Sequence, residues 1–268
     1  MARMSLVLIR GAGDVGTAVG IFLLSLGHKI VYTELSRPTT LRWAVAFSEA
    51  VYRGEWKVEG VSAKHVSSPE EALEVAEKGG VAVLAPEGEA IEKLRPGVLV
   101  DARMAKRNLG TKITEAPVVI GLGPGFLAGV DCHAVVETLE GPKLGRVYLS
   151  GGATPPTHIP CAVEERREER VIRAPKEGLF FPLRTIGDLV RAGEVVARVN
   201  EEELRTPISG VIRGILHEGL SVRAGMKVVE IDPRADRRVP FKLSDRSLRI
   251  AEGVVEALRI LGALARQL

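Results

Sequence analysis

The sequence predicts an α/β protein with a doubly wound parallel sheet, followed by a small all-β domain and a C-terminal helix. Short apolar segments alternate with helical stretches through the first half of the chain, which is typical of parallel sheets with crossover helices. Residues 173–199 recur as residues 205–231, and residues 243–268 have the spacing of an amphipathic helix. The predicted organisation is a first domain over 1–152, a linker over 153–170, the all-β domain over 171–233 and a C-terminal helical segment over 234–268.

The first strand leads into a glycine-rich turn. Residues 6–9 are continuously apolar, and Gly11-Ala-Gly13-Asp14-Val-Gly16 follows, before an apolar helical stretch. Gly11 permits a tight turn, Gly13 lets a diphosphate approach the backbone, and Gly16 lets the helix pack on the strand. Because a helix N-terminus attracts anions, this context predicts a Rossmann-like nucleotide-binding domain. Asp14 would repel a phosphate unless a metal or a base intervened.

The second predicted strand, residues 29–33, ends at Glu34. A carboxylate about 20 residues beyond the glycine turn accepts hydrogen bonds from ribose hydroxyls and repels a 2′-phosphate. NAD, or another nucleotide with an unphosphorylated ribose, is therefore favoured over NADP. The remaining segments of this domain are predicted as helices over 69–78 and 88–94 and strands over 80–85, 97–101, 116–122 and 145–150.

Asp101 is a candidate catalytic residue at the tip of a predicted strand. Lys106 and Arg107 follow it, so the group could bind a metal or hold a general base beside an anion clamp. The alternative is an ion pair that orders the loop. Asp101 and Lys106 are taken as candidate catalytic residues.

A second glycine-rich segment follows the predicted strand over 116–122. Gly123 and Gly125 belong to a loop in which bare backbone could surround a ligand, and Asp131 is predicted as the N-cap of a helix over 134–139. His133 would then lie in the first turn with a lowered pKa, as a neutral proton shuttle, a metal ligand or a purely structural histidine. Cys132 could be an activated thiol or simply packed, and it could form a site with His133, His158 and Cys161 only if folding brought them together. The identity of any metal stays unknown.

The repeated segment has Pro and Gly at turn positions and alternating valines, and it occurs only twice. Two such halves resemble the biotinyl/lipoyl-like barrel-sandwich fold, in which the halves interlock. Carrier domains of that kind bear a modifiable lysine on the hairpin between the halves, and residues 199–204 contain none. We therefore expect no biotin or lipoyl attachment, and a docking or lid module instead.

The composition excludes several classes of function. The chain has 37 basic and 34 acidic side chains, intermixed, so no surface dedicated to nucleic acid is expected. There is no apolar run long enough to span a membrane and no signal peptide, which predicts a cytoplasmic protein. Only one Gln and two Asn occur, as in many thermophile proteins. The C-terminal helix is expected to pack on the first domain or on a partner in a homo-oligomer.

Several segments together resemble one prokaryotic family, the YqeB-type accessory proteins of the selenium-dependent molybdenum hydroxylase system. The matching stretches are Ile9–Asp14, Thr33–Leu35, Glu49–Gly54, Asn108–Thr111, Gly121–Phe126 and Ala128–Thr138, together with the repeat region. The resemblance implies a role in maturing molybdenum hydroxylases, in handling the molybdopterin or the selenium ligand. One departure is Cys161, where the pattern would have glycine after proline.

Three functions remain open. The preferred one is an accessory protein that binds a nucleotide or a nucleotide-bearing cofactor, such as a molybdopterin dinucleotide, with a molybdenum hydroxylase as partner. The second is an NAD-dependent oxidoreductase that uses His133, Asp101 or Lys106 in proton transfer. The third is a non-catalytic interaction scaffold, in which the glycine turn is only a fold element. The sequence leaves open whether the protein is an enzyme.

Overall fold

The computed structural model describes residues 5–156, 160 and 162–264. The chain divides into two compact units. Within the described residues, the first unit comprises residues 5–38, 46–156 and 243–264, and the second comprises the rest. In these residues no helix is both long and apolar enough to cross a bilayer.

The first unit is built on a nine-stranded mixed sheet with helices on its faces. Its elements are β1 (Leu6–Arg10), α1 (Asp14–Ser25), β2 (Lys29–Thr33), α2 (Ala50–Arg53), β3 (Glu55–Val58), β4 (Val61–Val66), α3 (Pro69–Glu77), β5 (Val81–Leu84), α4 (Ala90–Leu94), β6 (Val98–Asp101), β7 (Val118–Leu122), β8 (Ala134–Val136), β9 (Val147–Tyr148) and α5 (Asp245–Ile260). The strand order is β3-β4-β5-β2-β1-β6-β7-β8-β9. The inner strands are parallel, whereas the edge pairs β3–β4 and β8–β9 are antiparallel.

Helices cover both faces of this sheet. Val31 packs in a core cluster with apolar residues of α3 and α4, while α1 and α5 lie on the opposite face. A β-carbon on Gly20 of α1 would lie 1.7 Å from the hydroxyl oxygen of Tyr32, and one on Gly253 of α5 would lie 2.7 Å from a methyl carbon of Val136. Because glycine lacks that carbon, both helices approach the strands closely.

The second unit consists of two four-stranded antiparallel sheets. Its strands are β10 (Val171–Arg173), β11 (Gly178–Pro182), β12 (Leu189–Val190), β13 (Val195–Val199), β14 (Glu202–Arg205), β15 (Gly210–Ile215), β16 (Ser221–Val222) and β17 (Lys227–Asp232). The sheets have the orders β10-β17-β15-β12 and β14-β13-β11-β16. Exchanging each strand with its equivalent in the other copy of the repeat turns one order into the other. Each sheet therefore takes two strands from each copy.

The predicted fold class, a Rossmann-like doubly wound parallel sheet joined to a biotinyl/lipoyl-like barrel-sandwich domain, is wrong. The sheet is mixed, because both of its edges pair antiparallel, and the β7–β8 connection over residues 123–133 has no crossover helix. The second unit consists of two antiparallel sheets. The helix predicted over 134–139 is also wrong, since residues 134–136 form the buried strand β8. Asp131 is consequently no helix N-cap: its carboxylate accepts a hydrogen bond from the N–H of Leu127 at 2.8 Å.

Candidate functional site

The glycine turn lies at the carboxyl end of β1, between the carboxyl ends of β2 and β6. Gly11 has φ +93°, and a β-carbon there would lie 3.1 Å from the backbone of Ala102 and Arg103. A β-carbon on Gly16 would lie 2.1 Å from the carbonyl oxygen of Gly11, so the start of α1 can approach the turn this closely only with glycine at this position. Gly13 is the N-cap of α1, and no side chain caps the helix. The first-turn N–H groups of α1 therefore remain suited to an anion.

Glu34 lies directly against this turn. Its Oε1 accepts a hydrogen bond from the N–H of Ala12 at 3.0 Å, and its Oε2 accepts one from the N–H of Leu35 at 2.8 Å. Burial raises the pKa of Glu34 above its ordinary value, and these two backbone hydrogen bonds only partly oppose the effect. Each carboxylate oxygen keeps a second lone pair for a ligand hydroxyl.

The segment after β2 packs on the same turn. Ser48 donates its N–H to the carbonyl of Ala12 at 2.9 Å, and Phe47 donates its N–H to the hydroxyl of Thr17 in α1, also at 2.9 Å. The Tyr52 hydroxyl donates to the carbonyl of Pro38 at 2.7 Å. These hydrogen bonds fix residues 46–52 beside the carboxyl end of β2. The segment therefore lies along one side of the candidate site at the glycine turn.

Asp14 begins α1 at this edge, next to the start of α5. The hydroxyl of Ser247 lies 3.5 Å from Asp14 Oδ2, and Ser244 caps α5 by accepting from the N–H of Ser247 at 3.2 Å. The N-termini of two helices are thus neighbours at the carboxyl edge. The Asp14 carboxylate adds negative charge there, which opposes an anionic ligand unless a cation accompanies it.

Asp101, at the end of β6, is only 2% exposed and is surrounded by donors. It accepts a hydrogen bond from the Thr111 hydroxyl at 2.7 Å, one from the Arg103 N–H at 3.1 Å, and an ion pair from the Arg103 guanidinium. These contacts use both carboxylate oxygens to order the loop that follows. Among the described residues, no three His, Cys, Asp or Glu side chains are grouped so that they could hold a metal ion.

Arg10 extends this network from the neighbouring strand β1, and sequence reasoning missed it. Its guanidinium donates to Glu87 at 2.7 Å, to Thr111 at 2.8 Å and to both oxygens of Glu115 at 2.8 and 3.0 Å. Arg10 is 8% exposed, so these partners neutralise a buried charge. The available signal was a single arginine at the end of a continuous apolar strand.

The loop that carries Lys106 is enclosed by glycines. A β-carbon on Gly125 would lie 2.4 Å from the α-carbon of Arg107, and one on Gly123 would lie 2.4 Å from the hydroxyl oxygen of Thr138. Both glycines also have positive φ, +106° for Gly125 and +82° for Gly123. Gly125 therefore lets its loop pack against the backbone of Arg107, and Gly123 leaves room for the side chain of Thr138, while Lys106 itself is exposed.

His133 lies at the other end of the sheet. It precedes β8, donates its N–H to the carbonyl of Val119, and accepts at Nδ1 from the Val119 N–H at 3.0 Å. The strand register places it two strands and two positions from Asp101, about 12 Å away. The structure therefore does not bring Asp101 and His133 together.

The neighbouring Cys132 is fully buried. Burial raises the pKa of its thiol to about 11, so it is a packed thiol and not the activated one that a helix start would give. The predicted partners His158 and Cys161 lie outside the described residues.

No protein-family model matches the chain. Over 257 residues, or 96% of its length, the chain is 44% identical to the uncharacterized protein YqeB of Escherichia coli (strain K12). The match covers 48% of YqeB, so the chain spans about half the length of this curated relative.

Solved structures give only distant likenesses. A succinylglutamate desuccinylase/aspartoacylase from Rhodobacter sphaeroides is 14% identical with a TM-score of 0.29, over 85% of this chain and 84% of that one. The ectoine utilization protein EutE (DoeB) from Ruegeria pomeroyi is 11% identical with a TM-score of 0.24, over 84% of this chain and 56% of that one. Likenesses at this level assign no activity.

Proposed function

We propose that this protein is an accessory factor in the maturation of selenium-dependent molybdenum hydroxylases. In this proposal it binds a nucleotide, or the nucleotide-bearing molybdenum cofactor, at the carboxyl edge of the nine-stranded sheet. The pathway rests on the motif resemblance, while the 44% identity to YqeB over 257 residues supports only the likeness to that uncharacterized protein. The binding chemistry rests on the geometry of the glycine turn.

The contact between Glu34 and the glycine turn carries the proposal. Glu34 Oε1 lies 3.0 Å from the nitrogen of Ala12, in the turn that leads into the uncapped start of α1. An acceptor for ribose hydroxyls and donors for a diphosphate are therefore side by side.

A molybdopterin dinucleotide contains both of the groups that this arrangement fits. The first turn of α1 would hold the diphosphate and Glu34 the ribose. When bound, the molybdenum centre supplies the redox chemistry of the partner hydroxylase. Because Asp14 places a negative charge in the same turn, we expect binding to be stronger with Mg²⁺ than with a chelator.

The test is calorimetric titration with a molybdopterin dinucleotide, CTP, ATP and NAD, each in Mg²⁺ and in EDTA. Gly13→Asp should abolish binding of the preferred ligand, since it adds a carboxylate where the diphosphate approaches. Ser62→Asp is the matched control, because it adds the same charge at an exposed position near the amino end of β4. Glu34→Ala should weaken binding, and unchanged affinity in that variant would contradict ribose recognition.

The ligand that binds distinguishes the candidate functions. Selective binding of the molybdenum cofactor, together with co-purification of a molybdenum hydroxylase, would support the maturation role. Selective binding of NAD with a substrate-dependent change in NADH absorbance would favour an oxidoreductase. If none of the four ligands gives measurable binding, the function that remains is that of a non-catalytic interaction scaffold.

A further inference from the structure

The loop over residues 103–108 has an unusual backbone for its sequence. Met104 and Lys106 have φ of +55° and +61°, whereas the intervening Ala105 and the following Arg107 have negative φ. Non-glycine residues seldom adopt the left-handed conformation, and two of them within three residues are rarer still. Where residues alternate between the left- and right-handed helical regions, successive N–H groups turn toward one concavity, an arrangement known as a nest, which binds anions.

Within the ranges that the structure describes, no residue accepts a hydrogen bond from the backbone N–H groups of residues 104–107. Over the same ranges, the exposed side chains of Lys106 and Arg107 form no ion pair. Backbone donors without an acceptor in the described residues and two cations thus lie on one loop.

The surrounding structure holds the loop in this conformation. Asp101 fixes its start by accepting from the Arg103 N–H at 3.1 Å. Asn108 fixes its end, because Asn108 Oδ1 accepts from the N–H groups of Gly110 and Thr111 at 2.9 and 2.8 Å. Backbone strain that is kept in place by its surroundings is characteristic of ligand sites.

The loop also lies beside the glycine turn. A β-carbon on Gly11 would be 3.1 Å from the α-carbon of Arg103, the residue just before Met104. On its other side, Gly125 lets the second glycine-rich loop pack against the backbone of Arg107. The loop is therefore enclosed between the two glycine-rich loops at the carboxyl edge.

We propose that residues 104–107 form a second anion site, which binds a phosphate group through backbone N–H groups together with Lys106 and Arg107. This deepens the proposed function, on which it partly rests: the site would hold a further phosphate of the same nucleotide-bearing ligand. In this proposal the backbone conformation of the loop recognises the phosphate group, and the charges of Lys106 and Arg107 add attraction.

The experiment titrates inorganic pyrophosphate into the full-length, isotope-labelled protein and follows the backbone amide resonances, with sodium chloride at equal ionic strength as the control. The amides of residues 104–107 should shift with pyrophosphate and not with chloride. Shifts confined to the start of α1, or no saturable shift at all, would overturn the proposal.

Substitutions at Met104 separate the backbone from side-chain charge. Met104→Gly accommodates positive φ and should leave the pyrophosphate affinity within about twofold of the original. Met104→Pro forbids positive φ and removes an N–H, so it should weaken binding at least about tenfold. If that variant proves unfolded by thermal melting, Met104→Val replaces it, since a branched side chain disfavours positive φ while keeping the N–H. Equal affinities in the glycine variant and the proline or valine variant would refute a role for the nest.

The same logic applies at Lys106 and links the two proposals. Lys106→Gly and Lys106→Pro lose the same charge, so the nest predicts that the proline variant binds pyrophosphate more weakly than the glycine variant does. If nucleotides bind and Gly13→Asp abolishes that binding while the Met104 variants do not affect it, the nest fails and the proposed function stands. If pyrophosphate binds at the nest and no nucleotide binds, the nest stands and the proposed function fails.

Discussion

Replacing Arg10 by methionine tests how much the buried ion network at the carboxyl edge contributes to stability. Methionine keeps an unbranched apolar stem but removes the charge that Glu87 and Glu115 neutralise. Breaking a buried ion pair costs about 3–5 kcal/mol, because the partner is left as an uncompensated charge. Glu87 and Glu115 are 30% and 19% exposed and can partly rehydrate, so we expect a loss near the lower end, about 3 kcal/mol.

Urea unfolding of the wild type and of Arg10→Met at neutral pH measures this loss. Arg238→Met is the control, because Arg238 is 81% exposed and its ion pair with Asp236 should leave the unfolding midpoint almost unchanged. A loss below about 1 kcal/mol for Arg10→Met would refute the reasoning, since it would place the pair in the range of surface ion pairs.

The pH dependence provides a second check on the same variant. Burial alone would raise the pKa of Glu115, but hydrogen bonds and charge from Arg10 outweigh it, so the pKa is lowered. A lowered carboxyl pKa adds stability that is present above the unfolded value and is lost as pH falls through the folded value. The difference between the wild type and Arg10→Met should therefore shrink below about pH 4.5.

Three further outcomes follow from buried groups. In a Cys161→Ala background, Cys132 should react with a disulfide reagent at pH 8 at least about a hundredfold more slowly than in urea, since its pKa is about 11 against 9.0. Glu137→Gln should lose about 2–3 kcal/mol in urea unfolding, because a fully buried carboxylate that accepts four hydrogen bonds is replaced by an amide. Gly20→Ala should lower the melting temperature, and Tyr32→Phe in the same chain should restore part of it by removing the nearest clashing atom.

Local signals in the sequence predicted the start of the fold correctly. The apolar run of β1, the glycine turn and the apolar stretch of α1 are confirmed, and so is the cap of α3, where the Ser68 hydroxyl accepts from the N–H of Glu71 at 3.2 Å. These features depend on residues a few positions apart, so periodicity and capping chemistry are enough to identify them.

Long-range pairing could not be predicted in the same way. The sequence after Asp131 predicts a helix start, yet Val135 and Val136 are buried in β8 between β7 and β9. Short apolar runs fit a buried strand or a buried helix, and only the neighbouring strands decide between them. The antiparallel edges of the sheet were missed for the same reason, because strand direction is set by partners distant in sequence.

At the candidate site, too, local features could be predicted and contacts between residues distant in sequence could not. The spacing between the glycine turn and Glu34 predicts a carboxylate for ribose hydroxyls, and the structure places Glu34 Oε1 3.0 Å from the nitrogen of Ala12 in that turn. The Arg10 network was missed because its partners Glu87 and Glu115 are 77 and 105 positions away. His133 lies away from the carboxyl edge because the residues after it form the strand β8, where the sequence predicts a helix.

Neither copy of the repeat can form a sheet of the second unit by itself, because each sheet takes two strands from each copy. A polypeptide carrying one copy would hold two strands of each sheet and could complete neither. Cleaving the β13–β14 hairpin should therefore leave the second unit unfolded in each separate fragment, and mixing the two fragments should restore it. A single copy could fold only by pairing with another of its kind, so the tandem arrangement makes covalent what would otherwise be a dimer.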